Sequence, residues 1–253
     1  MQTVSVVLAT FNEEKNLPVC LDSIKDIAKE IVIVDGTSTD KTVEIAKKYG
    51  AKVVITDNPP VFHINKQKAI DMAMSDWILQ LDADERVSRE LGKEIEHILA
   101  HPDAKINGYW MPRKNWFLGR FLMKGGQYPD YTLRLYKKGK GRLPQKDVHE
   151  QAIVDGKVGY LKNPLIHIAD PSFSRYVLRW QRYTSLMARQ LAEKEPTIHV
   201  GTFFSYLLVS PFWWFFLIYF RHKGFMDGWQ GFIFAFFSGL RFPVSYIKYV
   251  RNK

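Results

Sequence analysis

Two aspartates two residues apart, Asp82 and Asp84, close a short apolar run, Leu79-Gln-Leu-Asp-Ala-Asp-Glu85. Alternate residues on an extended chain point the same way. The two carboxylates therefore form a hard-oxygen site suited to Mg²⁺ or Mn²⁺, ions that keep open positions for water and phosphate oxygens. An isolated D-x-D is more often a solvated acidic turn. Two further clusters upstream change that weighting. Leu8-Ala-Thr10-Phe11-Asn12-Glu13-Glu14 and Val34-Asp35-Gly36-Thr37-Ser38-Thr39-Asp40 each follow a β-branched apolar run and precede a helical pattern. Polar groups at such a place meet the anion-favouring N-terminus of a helix. Asp35 can accept from a base N–H or a ribose hydroxyl, and Thr10 and Glu13 can hold the other side of a nucleoside. Ordinary helix capping by Asn12, Thr39 and Asp40 is the competing reading.

The elements that position these groups alternate over the first hundred residues. Thr3–Ala9, Glu30–Asp35, Lys52–Thr56 and Trp77–Asp82 read as strands. Leu17, Cys20, Leu21, Ile24, Ile27 and Ala28 recur at helical spacing, as do Val43, Ala46 and Tyr49 before Gly50, and residues 65–75 form a short helix. The pattern predicts a parallel sheet covered on both faces. Ligands bind such sheets beyond the C-terminal strand ends, where Thr10–Glu14, Asp35–Thr39 and Asp82–Glu85 fall. Residues 108–160 read as short strands and loops, and Ser174–Glu193 as a helix.

Together the three clusters, in this order and spacing, resemble family 2 of the GT-A glycosyltransferases over residues 3–90. The resemblance implies an α/β fold, a GT-A (Rossmann-like nucleotide-binding) domain with a mainly parallel sheet. It implies that Thr10, Glu13 and Asp35 bind the nucleoside, that Asp82 sits near the ribose and the metal's waters, and that Asp84 ligates the metal at the diphosphate. Lys66, or failing it Lys68, stands where the family places a cation that contacts the donor; a lysine there gives up bidentate phosphate contact. Pro112-Arg113-Lys-Asn115-Trp-Phe117-Leu-Gly119-Arg120, Gly125-Gly126-Gln-Tyr128-Pro129-Asp130, Arg134-Leu-Tyr136 and Val148-His149-Glu150 extend the resemblance to the lipopolysaccharide core β-glucosyltransferases. Gln127 departs from the aromatic usual there. Inverting transfer requires a carboxylate that takes the acceptor's proton. Glu150 is the first candidate and Asp130 the second. Some GT-A enzymes add a late histidine to the metal, and His167 is the candidate, with a structural histidine as the competing reading. Arg113, Asn115, Arg120, Tyr128 and Arg134 are expected on the side of an anionic glycolipid or oligosaccharide acceptor, and a UDP-sugar is the expected donor.

The net charge of +10 is uneven. Residues 1–170 carry 25 Lys/Arg against 23 Asp/Glu, and residues 171–253 carry 11 against 3. This suggests a catalytic domain over 1–170 and a helical, membrane-associating region over 171–253. The C-terminal aromatics sit in long uncharged runs, which favours an anionic membrane surface over nucleic acid. Val200–Phe220 is long enough to cross a bilayer. The expectation is nevertheless peripheral or monotopic attachment to the cytoplasmic face of the inner membrane. Both flanks are basic, Pro211 interrupts the run, and Gly231–Leu240 is too short for a return span. A true span, or burial in the protein or an oligomer, remains open. The single cysteine, Cys20, is expected as buried filler in a reducing compartment, and no basic leader precedes the first apolar run. A dinucleotide-dependent oxidoreductase is disfavoured because the first turn lacks G-x-G-x-x-G. A nucleotidyltransferase is disfavoured by the lack of a Gly/Arg-rich loop. A non-catalytic sugar- or lipid-binding module and a lipid-phosphate glycosyltransferase stay as alternatives.

Overall fold

The computed structural model describes residues 1–144, 151–194 and 199–252. The chain divides into two compact units, Met1–Arg113 with Tyr131–His167, and Lys114–Asp130 with Ile168–Lys253.

The first unit alternates β1 (Val4–Thr10), α1 (Leu17–Asp22), β2 (Glu30–Asp35), α2 (Thr42–Lys48), β3 (Lys52–Ile55), α3 (His63–Met72) and β4 (Trp77–Gln80). β5 (Glu85–Val87), α4 (Arg89–Ala100) and the long β6 (Ile106–Phe117) follow, then β7 (Arg120–Phe121) and β8 (Asp130–Lys137). β9 (Gly141–Arg142) and β10 (Ile153–Val154) pair as a small ribbon, and β11 (Lys157–Tyr160) and β12 (Leu165–Asp170) complete the strands. The main sheet runs β3-β2-β1-β4-β8-β6-β12-β5. β1 to β4 are parallel, with Thr10 paired to Asp35 at the strand ends. β8 joins β4 antiparallel, and β12 joins β5 antiparallel with His167 opposite Glu85. The expected parallel sheet is therefore the first half of a mixed one. Alternation along β1 sends Val4, Val6 and Leu8 into a core with Leu17, Cys20, Leu21 and Leu91. It sends Val7 into a second core with Ala69, Ala73 and Tyr136 on the opposite face. A capped helix that the sequence pattern leaves unassigned, α4, covers the first core through Leu91, Ile95 and Leu99. It starts at Ser88, whose hydroxyl accepts from Leu91 N at 3.2 Å.

In the second unit, the end of β6 turns back through β7, pairing Trp116 with Phe121. α5 (Phe173–Lys194) is amphipathic and packs Tyr176 and Trp180 against Phe234 and Phe237, and Ala188 and Leu191 against Tyr246 and Tyr249. Residues Val200–Arg221 form one continuous helical stretch, and a basic turn leads into the C-terminal helix Gly228–Arg251. One expectation is corrected here. Pro211 does not break the first helix. A wider, π-type turn over Ser205–Val209 precedes it, so Pro211 lies in the first turn of the next α segment, where no N–H is required. The ten-residue apolar run Gly231–Leu240 lies inside a 24-residue helix, which is not among the described helices long and apolar enough to cross a bilayer. Arg241 does not end it, because its guanidinium stacks over Trp214 and Phe242, 4.7 and 4.9 Å from the ring centroids. Gly239 lets the two helices touch, since a Cβ there would lie 2.5 Å from the Pro211 carbonyl oxygen.

Candidate active site

The ends of β1, β2 and β4 meet at one rim of the first unit. β1 ends in Thr10, whose hydroxyl donates to Asp35 Oδ2 at 2.8 Å. Asp35 is fully buried and also accepts from Ser38 N and Ser38 Oγ, both at 2.7 Å. The two rim loops are stitched together. Asn12, in left-handed backbone at φ 55°, accepts from Thr39 N at 2.8 Å, and its own N–H donates to Ser38 Oγ at 2.8 Å. Glu13 N donates to Thr42 Oγ1, and Glu14 N to Asp40 Oδ2.

These loops border a cavity of about 240 Å³ lined by Thr10, Phe11, Glu13, Asn58, Phe62, Asn65, Asp82 and Asp84, among others. The structure thus brings Thr10, Glu13, Asp82 and Asp84 to one opening. Asp35 lies behind it, holding Thr10. Four lining residues escape the sequence reading: Phe11, Asn58, Phe62 and Asn65. The polar pair in Asp57-Asn58-Pro-Pro was the available signal, because Asn before proline marks an ordered turn.

Behind the opening lies a charge cluster. Lys66, expected to face the donor, is buried and ion-paired with Asp82. Arg134, expected on the acceptor side, is also buried, and its Nη2 donates to Asp82 Oδ2 at 2.6 Å and to Glu85 Oε1 at 2.9 Å. Arg113 Nη1 reaches the same Glu85 oxygen at 3.3 Å, and Glu85 Oε2 accepts from Asp82 N at 2.9 Å. Glu85 is fully buried and anchors this cluster, a role that its place directly after the D-x-D does not by itself reveal. Burial pushes the Asp82 carboxyl up, but Lys66 and Arg134 outweigh it and hold the group well below the usual carboxylate range. Burial pulls the Lys66 ammonium down, with Asp82 opposing. Burial also works against the Arg134 charge, yet Glu85 and Asp82 push its value further up. Cys20 lies 3.6 Å from the Asp82 carbonyl oxygen, and burial raises its thiol far above reactivity at neutral pH.

Asp84 faces His167. Its Oδ2 lies 3.6 Å from His167 Nε2, with both side chains partly exposed. That separation is wider than the about 3.0 Å between neighbouring ligands of an octahedral ion, so the two side chains would have to close slightly to share one. Among the described residues no three His, Cys, Asp or Glu side chains converge on a metal position. Asp82, expected beside Asp84 at the metal, is ion-paired with Lys66 and Arg134. A two-ligand site suits an ion that takes its remaining oxygens from diphosphate and water.

In the second unit, Asp130 Oδ2 accepts from Asn115 Nδ2 at 3.0 Å. Arg120 lies 3.9 Å from Asp227, and Tyr128 lies under the Lys114 ammonium at 5.8 Å. Glu150 falls within 145–150, outside the described residues.

The sequence profile described as Glycosyl transferase family 2 matches residues 5–166. The chain belongs to glycosyl transferase family 2. Among its relatives in that family, the lipopolysaccharide core biosynthesis glycosyltransferase LpsC of Rhizobium meliloti is 30% identical, over 94% of this chain and 91% of LpsC. An uncharacterized glycosyltransferase of Rickettsia typhi is also 30% identical, over 95% of this chain and 86% of its own length. The fold matches S. aureus TarS, solved as residues 1–349, at a TM-score of 0.50 and 16% identity, covering 99% of this chain and 88% of that one. TarS has also been solved with UDP. As a family 2 member the chain is a glycosyltransferase with a GT-A fold, and the likeness to lipopolysaccharide core enzymes read from its central motifs is borne out by LpsC.

Proposed function

We propose that this glycosyltransferase is inverting and metal-dependent, and moves a hexose, glucose, from UDP to a hydroxyl of a lipopolysaccharide core or another anionic cell-envelope glycan. The observation that carries the reading is the identity with LpsC along nearly the whole of both chains. The choice of UDP draws on the TarS complex. Thr10 and Glu13 hold the nucleoside, Asp35 orienting Thr10 from behind. Asp82, fixed by Lys66 and Arg134, faces the ribose. Asp84 and His167 would hold Mg²⁺ or Mn²⁺, whose chemistry would be charge stabilisation of the diphosphate leaving group. The acceptor oxygen attacks the anomeric carbon, the bond from that carbon to the diphosphate breaks, and the hydroxyl proton passes to a carboxylate, Glu150 or Asp130. Arg113, Asn115, Arg120 and Tyr128 are assigned to the acceptor. Arg134 is reassigned from acceptor binding to holding Asp82.

The same reading attaches the second unit to a membrane surface. Val200–Arg221 is the stretch, among the described residues, that is long and apolar enough to cross a bilayer. The neighbouring C-terminal helix is tied to α5: Trp180 Nε1 donates to Phe237 O at 2.9 Å, and Lys248 Nζ to Thr184 Oγ1 at 2.8 Å. α5 carries Arg175, Arg179, Arg182 and Arg189. A full crossing of the pair would draw that charged helix into hydrocarbon, at about 2.5–3.5 kcal/mol per arginine. Monotopic insertion, on the cytoplasmic face where nucleotide sugars are made, avoids this. The test is release of UDP from UDP-glucose, with and without Mn²⁺, in the presence of deglucosylated core acceptor. Binding of donor without metal-dependent turnover on any core acceptor would reject the enzyme assignment in favour of a binding module.

A further inference from the structure

The two apolar helices of the second unit enclose a groove of about 370 Å³ between them, lined by Pro211 and Phe215 on one helix and Phe232, Phe236, Leu240 and Pro243 on the other. Its floor is the close contact at Gly239, where the helices touch backbone to backbone. On the C-terminal helix the groove residues recur at i, i+4, i+8 and i+11 from Phe232, forming one stripe. Phe237 and Lys248, which meet α5, lie on the other side. The groove therefore opens away from the wet, arginine-bearing helix. Of its lining residues Phe212 and Phe236 stand exposed, Phe212 by 71%, and Phe216 and Phe220 are exposed further along the same helix as Phe212.

An occupant of this groove is hydrocarbon, because nothing polar lines it to fix any other group. The exposed rings around the mouth place the opening inside an apolar surface, so an entering chain need not pass through water. The charge at the ends of the surface is basic: Arg221 and Lys223 lie in the turn joining the helices, and Arg251 closes the second helix. Asp227, in the same turn, is buried and engaged by Lys124 N at 2.7 Å and by Arg120. An anionic headgroup thus meets cations on either side of a hydrocarbon slot. We propose that the groove holds one acyl chain of an anionic bilayer phospholipid, so that a lipid molecule seats the hairpin in a single leaflet. The proposal rests on the membrane reading above and adds a defined site to it.

The full-length protein is reconstituted with vesicles of phosphatidylethanolamine and phosphatidylglycerol, the latter carrying a photoreactive diazirine on its acyl tail. Vesicle flotation is measured alongside photolabelling, and labelled residues are mapped by mass spectrometry. Saturable labelling at about one chain per protein, concentrated on Phe215, Phe236 and Leu240, is expected. Leu240→Trp, which fills the slot, should reduce that labelling at least fivefold while leaving flotation and the labelling of Phe216 and Phe220 unchanged. Phe232→Ala, which widens the slot, should raise it, and serves if Leu240→Trp does not fold. Flotation with labels spread evenly over the exposed rings, indifferent to both substitutions, overturns the groove and leaves the membrane reading standing. Absence of flotation overturns both. Protein–protein cross-links through Phe215 and Phe236 in place of lipid adducts would assign the groove to a second copy and likewise overturn the proposal.

Discussion

Replacing Arg134 with Met should destabilise the protein more than any surface substitution. Arg134 is 9% exposed, and one of its nitrogens bridges Asp82 and Glu85 at 2.6 and 2.9 Å. Methionine conserves much of the volume but leaves Glu85, fully buried, with Arg113 at 3.3 Å as its remaining cation, and Asp82 with Lys66. Breaking a buried pair by removing one partner typically costs about 3–5 kcal/mol, chiefly through the charge left behind. The residual cations place the expected loss at the lower end, about 3 kcal/mol. The assay is urea unfolding followed by tryptophan fluorescence, comparing midpoints at constant slope. Neutralising the stranded partner should recover part of the loss, so Arg134→Met with Glu85→Gln should be more stable than the sum of the single effects by at least about 1 kcal/mol. A loss under about 1 kcal/mol for Arg134→Met, or simple additivity in the double variant, would refute the view that these charges are a mutually dependent buried set.

Asp84→Asn and His167→Ala should each lower Mn²⁺-dependent UDP binding at least tenfold by calorimetry with an unchanged unfolding midpoint; metal-dependent binding that survives both would remove these residues from the ion. Glu150→Gln is expected to reduce kcat by about 10²-fold with donor affinity retained; if Asp130→Asn is the inactive variant instead, the base is Asp130. Acid should act through Asp82. Its folded value lies below the unfolded value of about 3.9, so its contribution is present above that pH and is lost as pH falls toward the folded value. The double variant Asp82→Asn with Lys66→Met should therefore show a flatter stability profile than wild type below about pH 5, and an equally steep profile would sink the assignment.

The rim at the ends of β1, β2 and β4 was legible because its parts are local. A strand, its terminal polar residue and the following turn are neighbours in sequence, and Gly50, at φ 72°, ends its helix where the pattern says it must. The charge cluster was not legible because its members come from α3, the loop after β4, β5, β6 and β8. Nothing in the spacing of Lys66, Asp82, Glu85, Arg113 and Arg134 states that they converge. Lys66 reads as a cation for the donor until the fold carries Asp82 over it. The C-terminal helices failed differently. Pro211 and Arg241 are local stop signals, and both are overridden by tertiary arrangement, one by a widened turn and the other by stacking on Trp214 and Phe242. α1 is the converse case. Its apolar spacing runs from Leu17 to Ala28, but the regular helix stops at Asp22 and the rest continues as turns, with Ile24 still reaching the core.

The stitching of the two rim loops has a consequence for how such a sequence can drift. Asn12 serves Ser38 and Thr39, Thr42 serves Glu13, and Asp40 serves Glu14, each bond crossing from one strand-end loop to the other. The second loop also has bonds of its own, Ser38 to Asp35 and Thr42 to Asp40, but its outer residues are tied to the first. A substitution at 12 withdraws an acceptor from the backbone at 39, and one at 40 withdraws an acceptor from the backbone at 14. Across descendants of this chain, the side-chain acceptors at 12, 38, 40 and 42 should accordingly change only to residues that still accept from a backbone N–H, while positions 13 and 39, which contribute their main chain to these bonds, are freer to vary.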